Sequence, residues 1–172
     1  MENELGLVHL YWGDGKGKTT AAMGLALRAL GHGLQVSVVQ FLKDGTSGEI
    51  ALLRKLGATV WAEKCWTGFL SHEDEDTRSA ACIQQTQLFR DALAQPCDLL
   101  ILDEACGAWE MGTVDRALLQ QAVTNRPAGR EVVLTGRHPA PWMREVSDYS
   151  TQMVPHAHPY QQGVNARKGI EF

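Results

Sequence analysis

The chain has 172 residues, 44% hydrophobic and 21% charged, a composition that predicts one globular domain with its own core and excludes global disorder. Sixteen basic against twenty acidic residues give a net charge of −4, which argues against nucleic-acid or membrane-surface binding by charge. The longest aliphatic run, residues 99–102, is too short to cross a bilayer, the N-terminal segment lacks the basic and apolar regions of a secretion signal, and Cys65, Cys82, Cys97 and Cys106 form no Cys-x-x-Cys pair. The expectation is a cytoplasmic protein with reduced, structural thiols.

Residues 5–11 read as a strand, followed by a glycine-rich turn and a helix over 18–30. That helix is apolar almost all round, with Met23, Leu27 and Leu30 on one face, as suits a helix wedged against a sheet. Gly31-His-Gly33 stops it, and 36–41 is a second strand with a buried Val-Ser-Val-Val run. A short helix is expected over 49–56 and a short strand over 58–62. Residues 63–72 are irregular; Trp66 there, and Trp61 in the strand before, are expected to pack in the core. The acids of His72-Glu-Asp-Glu-Asp76 suit a helix N-terminus better than a metal site, with Ser71 and Asp74 in capping-box spacing. The helix that follows, to about residue 95, places Ile83, Thr86, Phe89 and Leu93 on one face.

A fourth strand, 97–104, ends in Leu-Leu-Ile-Leu-Asp-Glu. A helix over 114–124, a fifth strand over 131–135, a helical start at 141–145 and a last strand at 149–153 complete the pattern. The tail, 155–172, has no regular structure assigned. Strands alternating with helices predict an α/β fold, a mostly parallel sheet with helices on both faces. Without an internal repeat or linker, residues 1–172 read as a single nucleotide-binding domain.

The strongest chemical signal is Gly13-Asp14-Gly15-Lys16-Gly17-Lys18-Thr19-Thr20, set between a strand and a helix. Glycines let successive N–H groups turn inward around phosphate oxygens, and the helix start adds the positive end of its dipole. Lys18 supplies a point charge over the phosphates, and the Thr19 hydroxyl suits Mg²⁺. The usual first glycine of such a loop is replaced by Trp12, with Gly13 one place later, which weighs against the ordinary nucleotide pose. The second signal is Asp103-Glu104 at the end of the aliphatic strand, either of which would bind the metal or its water shell. Thr135-Gly-Arg137 ends the fifth strand at the same sheet edge, where Arg137 is either a phosphate contact or an ordinary surface arginine. Beyond Lys18 at its start, Arg28 is the one charge within the apolar stretch of the first helix. It is read as a solvated edge or, second, as an ATP contact.

Gly13 to Ala22, then Gly24 to Gly33, resembles the opening of the P-loop ATP:corrinoid adenosyltransferases. Val38-Val-Gln-Phe-Leu-Lys43, Gly48-Glu49, Thr67-Gly-Phe69, Leu102-Asp-Glu104, Thr135-Gly-Arg137, His158-Pro-Tyr and Gly163 to Phe172 continue the match. The resemblance implies a RecA-like fold, a homodimer, and transfer of the 5′-deoxyadenosyl group of ATP to the Co(I) of a corrinoid with release of triphosphate. It implies Mg²⁺ or Mn²⁺, an external reductant for Co(II), and ATP held in an unusual orientation. Phe69 matches the family's loop aromatic that helps displace the lower axial ligand of Co(II). The second aromatic common two residues on is Ser71 here, and with only about four residues before the first strand the N-terminal helix that some members fold over the site is not expected. The competing classes are a P-loop NTPase or kinase that cleaves the γ-phosphate, and a non-catalytic corrinoid-binding module.

Overall fold

The computed structural model describes residues 5–64, 66 and 74–171. In chain order the elements are β1 (Val8–Trp12), α1 (Lys18–Gly31), β2 (Val36–Gln40), α2 (Gly48–Lys55), β3 (Thr59–Trp61), α3 (Glu75–Leu93) and β4 (Leu99–Asp103). Then come α4 (Ala105–Met111), α5 (Arg116–Thr124), β5 (Glu131–Gly136), α6 (Pro141–Glu145) and β6 (Tyr149–Gln152). The six strands form one sheet in the order β3-β2-β4-β5-β1-β6, and every recorded pairing is parallel. This is the α/β architecture expected of a RecA-like P-loop fold.

Side chains alternate across the central strands, so β4 feeds both layers of the core. Leu99 and Ile101 pack with Ala22, Met23, Ala26, Ile50 and Leu53 beneath α1 and α2. Leu100 and Leu102 pack with Phe41, Phe89, Leu119, Leu134 and Met143 under α3, α5 and α6. Each such aliphatic side chain contributes about 1.5–3 kcal/mol through burial. All five residues of β2 and of β4 are buried, which explains their near-continuous apolar reading.

Two helix faces differ from expectation. The buried face of α1 is Ala22, Met23, Ala26 and Ala29, whereas Leu27 is 51% exposed. Small alanines let the helix lie close on the sheet, and that sets its rotation. In α3 the buried residues are Ala81, Gln85, Leu88, Phe89 and Ala92, and Ile83 is 70% exposed. Gln85 is tolerated inside because its Oε1 accepts from Leu42 N (3.2 Å) and its Nε2 donates to Glu63 O (2.7 Å). The cap of α3 is Asp74 itself, accepting from Thr77 N at 2.7 Å, so the helix starts after Asp74; Ser71 and His72 lie outside the described residues. Helix α4 was not expected, and the tail holds a 3₁₀ turn over Pro159–Gln162.

Trp66 packs with Ala81 and Leu42, and Trp61 packs against the main core, as the sequence predicts. Cys82, Cys97 and Cys106 are free thiols, and burial pushes the Cys106 thiol up to about 12; Cys65 lies outside the described residues. Among the described residues no helix is long and apolar enough to cross a membrane.

Candidate nucleotide site and family

The carboxyl ends of β1, β2, β4 and β5 converge on the loop between β1 and α1, where ligands of open α/β sheets bind. The loop is braced from below by the chain leaving β6. Met153 N donates to Trp12 O at 2.7 Å, and Gly15 N donates to Met153 O at 2.8 Å. A Cβ on Gly13 would stand 2.6 Å from Met153 O, and one on Gly15 would stand 2.8 Å from Met153 C and O. Those contacts are backbone, which cannot swing aside, so both positions need glycine. Trp12 causes no obstruction: its Nε1 donates to Ser150 Oγ (3.1 Å) and the Arg144 guanidinium lies 4.1 Å from its ring centroid.

Helix α1 begins at Lys18 with Gly17 as its N-cap, no side-chain cap and no acid in its first turn. The free N–H groups of that turn and the helix dipole are thereby left for an anion. Lys18 Nζ donates to Gly15 O at 2.7 Å, across the loop. Burial lowers the Lys18 pKa from its ordinary value, with the Arg137 and Lys43 charges in the same sense and Glu104 and Asp14 opposing. A partly desolvated cation in a cationic cluster gains from a phosphate. Asp14, Lys16 and Thr20 are exposed around the loop.

Asp103 is the hub of the site and is fully buried. Its Oδ1 accepts from Thr19 Oγ1 (2.9 Å) and Thr135 Oγ1 (2.7 Å). Its Oδ2 accepts from Lys43 Nζ (2.7 Å) and Gln40 Nε2 (3.1 Å). These donors use the roughly four lone-pair sites a carboxylate offers. Glu104, next in the chain, turns the other way. Its φ of 61° is left-handed, its N donates to Thr135 Oγ1 at 2.9 Å, and its side chain is 30% exposed. Burial raises the Glu104 pKa, with Asp103 in the same sense and Lys43, Lys18 and Arg137 opposing. Consecutive acids thus divide the work: Asp103 orients Thr19, and Glu104 faces the site.

Lys43 is the main residue that sequence reasoning left without a role. Its ammonium also lies 3.2 Å from Thr19 Oγ1 and 3.9 Å from Glu104 Oε1. Burial acts to lower its pKa but is outweighed by the Asp103 and Glu104 charges, and the net shift is upward. Gln40 was missed likewise, though it is the register partner of Asp103 across β2 and β4.

The structure brings Lys18, Thr19, Asp103, Glu104 and Arg137 into one charged group, Arg137 being exposed beyond β5. Arg28 is not part of it. It lies in the last turn of α1, ten residues beyond Lys18 and so about 15 Å along the helix, where its charge acts on Tyr11. Phe69 lies outside the described residues. A cleft of about 490 Å³ opens beside the loop, lined by Thr19, Thr20, Met23 and Leu27 of α1, Lys43, the start of α2, and Gly169, Ile170 and Glu171 of the tail.

The donor set of Thr19, Asp103 and Glu104 is all oxygen, which fits Mg²⁺. Among the described residues no group of three or more His, Cys, Asp or Glu side chains could hold a metal alone. The fit is therefore to a cation that brings phosphate oxygens with it.

The model of the ATP:corrinoid adenosyltransferase family BtuR/CobO/CobP matches residues 4–172. The chain belongs to this family. It is similar to the corrinoid adenosyltransferase of Pseudomonas aeruginosa, at 35% identity covering 99% of this chain and 85% of that protein. It is equally similar to the corrinoid adenosyltransferases of Escherichia coli K12 and Salmonella typhimurium, at 35% identity, covering 99% of this chain and 88% of each. In this adenosyltransferase chain the substitution of Trp12 for the usual first glycine goes with a loop packed onto the β6 exit.

Proposed function

We propose that the chain transfers the 5′-deoxyadenosyl group of ATP to the Co(I) of a corrinoid substrate, and that the loop, Lys18 and Arg137 hold the triphosphate. The family match over residues 4–172 carries the activity. The assignment of roles rests on the uncapped start of α1, faced by Lys18 and backed by the Asp103 hub.

Electrons balance without proton transfer. A lone pair on Co(I) forms the Co–C5′ bond, the C5′–O bond breaks, and its pair leaves on the triphosphate. No general base is needed. The protein must align C5′ with cobalt and stabilise the charge on the leaving group. The backbone N–H of Gly17 and those of the first turn of α1 suit that charge, with Asp14, Lys16 and Thr20 at the rim; Gly13 N and Gly15 N donate instead to the carbonyls of Gly136, Arg137 and Met153 and shape the loop. Thr19 and Glu104 would hold Mg²⁺ or Mn²⁺, with Asp103 fixing the Thr19 hydroxyl; the cation would neutralise phosphate charge. Phe69 would meet the corrinoid and weaken the lower ligand of Co(II), so that an external reductant reaches Co(I). A homodimer in the cytoplasm is the setting that the family resemblance supports.

The test is the fate of label in ATP labelled in its adenine ring, mixed with a chemically reduced corrinoid. Label that moves onto the corrinoid supports transfer to cobalt. Label that stays in ADP would make Glu104 a water-orienting acid of an NTPase.

A further inference from the structure

We propose that Lys43 is the resident counter-ion of the divalent-cation position, its ammonium seated on Asp103, Thr19 and Glu104 until a cation arriving with nucleotide phosphate displaces it. This rests on the reading of those three residues as the cation position. The ammonium lies 3.2 Å from Thr19 Oγ1 and 3.9 Å from Glu104 Oε1, the two oxygens a cation would use, and is anchored at 2.7 Å on Oδ2 of the Asp103 carboxylate behind them. Two adjacent carboxylates, one fully buried, need a positive charge at all times. Lys43 supplies it in the nucleotide-free protein.

The backbone is built to hold it there. The left-handed residues other than glycine among those described are Leu42 (φ 60°) and Glu104 (φ 61°), and they sit directly before Lys43 and at its acidic partner. Each is a backbone conformation that a residue with a Cβ adopts only under strain. Strain at both ends of one ion cluster marks a position that the fold enforces. The lysine also has somewhere to go. Its side chain is 28% exposed and lines the cleft beside Thr19 and Thr20, on the side where phosphates would lie. Lys43 is thus a positioning residue with two seats, acids in one state and phosphate side in the other. The consequence is selectivity: free divalent ions are repelled from the empty site, and nucleotide-borne ions are admitted.

The test is Mn²⁺ binding to nucleotide-free protein, read by electron paramagnetic resonance. Lys43→Met should bind Mn²⁺ at least ~10-fold more tightly than wild type, because repulsion between an ammonium and a divalent ion a few Å apart exceeds one decade even in water-like dielectric. Lys43→Arg, which keeps the charge, should stay within ~3-fold of wild type. The gain should vanish in Lys43→Met/Glu104→Gln. Unchanged or weaker Mn²⁺ binding by Lys43→Met, or a gain that survives loss of Glu104, would overturn the proposal. A merely structural role for Lys43 could only weaken binding. Should Lys43→Met fail to fold, the wild type decides. Its Lys43 ammonium nitrogen resonance, assigned by its loss in Lys43→Arg, should shift on saturation with Mg·ATP without corrinoid, and an unmoved resonance refutes displacement. A reaction that runs at full rate in EDTA removes the cation reading itself. Equal Mn²⁺ affinities beside an EDTA-sensitive reaction remove only the role of Lys43.

Discussion

Replacing Asp103 by Asn tests whether this carboxylate is the hub of the site. The side chain is fully buried and accepts four hydrogen bonds, one of them from the Lys43 ammonium at 2.7 Å. An amide keeps one acceptor oxygen. If its nitrogen replaces Oδ1 it faces the Thr19 and Thr135 hydroxyls, whose hydrogens then lose their acceptor. If it replaces Oδ2 it faces the Lys43 ammonium, donor against donor. Gln40 offers partial relief, because its buried Oε1 has no partner and could turn towards the new donor. The charge-assisted bond is worth about 1.5–3 kcal/mol and one further neutral bond about 1 kcal/mol. Lys43 is 28% exposed and can turn to water, which keeps the loss below the range for breaking a fully buried pair. The expected loss is about 2–4 kcal/mol, or ~4–16 °C in Tm for a chain of this length. Urea unfolding of the nucleotide-free protein at pH 7 measures it. The Lys43→Met/Asp103→Asn pair should show a coupling of at least about 1 kcal/mol. An Asp103→Asn variant within ~0.5 kcal/mol of wild type, or strictly additive single effects, would refute the hub.

Lys18→Ala should lower turnover by at least ~10²-fold in a steady-state assay with saturating ATP, the usual cost of losing a charge stabiliser of the transition state; near wild-type turnover would sink its role. Phe69→Ala should impair reaction that starts from Co(II) with reductant and spare reaction with preformed Co(I); equal loss from both would assign Phe69 to general binding or packing. Glu131 ties the start of β1 to β5, with Oε2 accepting from Gly6 N (2.7 Å) and Leu7 N (2.8 Å) and Oε1 2.7 Å from His9 Nε2. Burial acts to raise its carboxyl, but those bonds outweigh it and hold the pKa below the ordinary value. Its contribution is therefore present above the unfolded carboxylate range and is lost as pH falls through the folded value. Glu131→Gln should cost about 1–2 kcal/mol at pH 7, discounted for partial solvent exposure, and should narrow that gap to wild type towards pH 3. Parallel stability curves for the two proteins would exclude this account.

The sequence made the phosphate loop legible because backbone geometry there dictates residue type. No side chain fits at Gly13 or Gly15 over Met153, and the fold leaves Lys18 to cross the loop. Strand β4 was legible because a strand buried on both faces reads as a near-continuous apolar run, here Leu99 to Leu102 before the buried Asp103. Its two terminal acids were visible, but not their division of labour, which depends on Glu104 entering the left-handed region. Lys43 was overlooked for a related reason. It follows β2 by three residues, and only the left-handed turn at Leu42 returns it to the acids. Helix rotation was misjudged at Leu27 and Ile83 because small residues and a bonded glutamine, rather than the largest side chains, face the core. Seven residues of α4 gave too few turns for a periodic pattern. The return of the tail to the cleft at Gly169, Ile170 and Glu171 depends on contacts distant in sequence, which local pattern does not carry.

The central claim is that the bond broken in ATP is the one between C5′ and its oxygen. Phosphorus NMR of the products from Mg·ATP and chemically reduced cobalamin, under anaerobic conditions, reads that bond directly. Adenosyl transfer predicts triphosphate, formed only when corrinoid is present and in step with its consumption. ADP and orthophosphate, formed without corrinoid, would contradict the account and leave an NTPase built on the same scaffold.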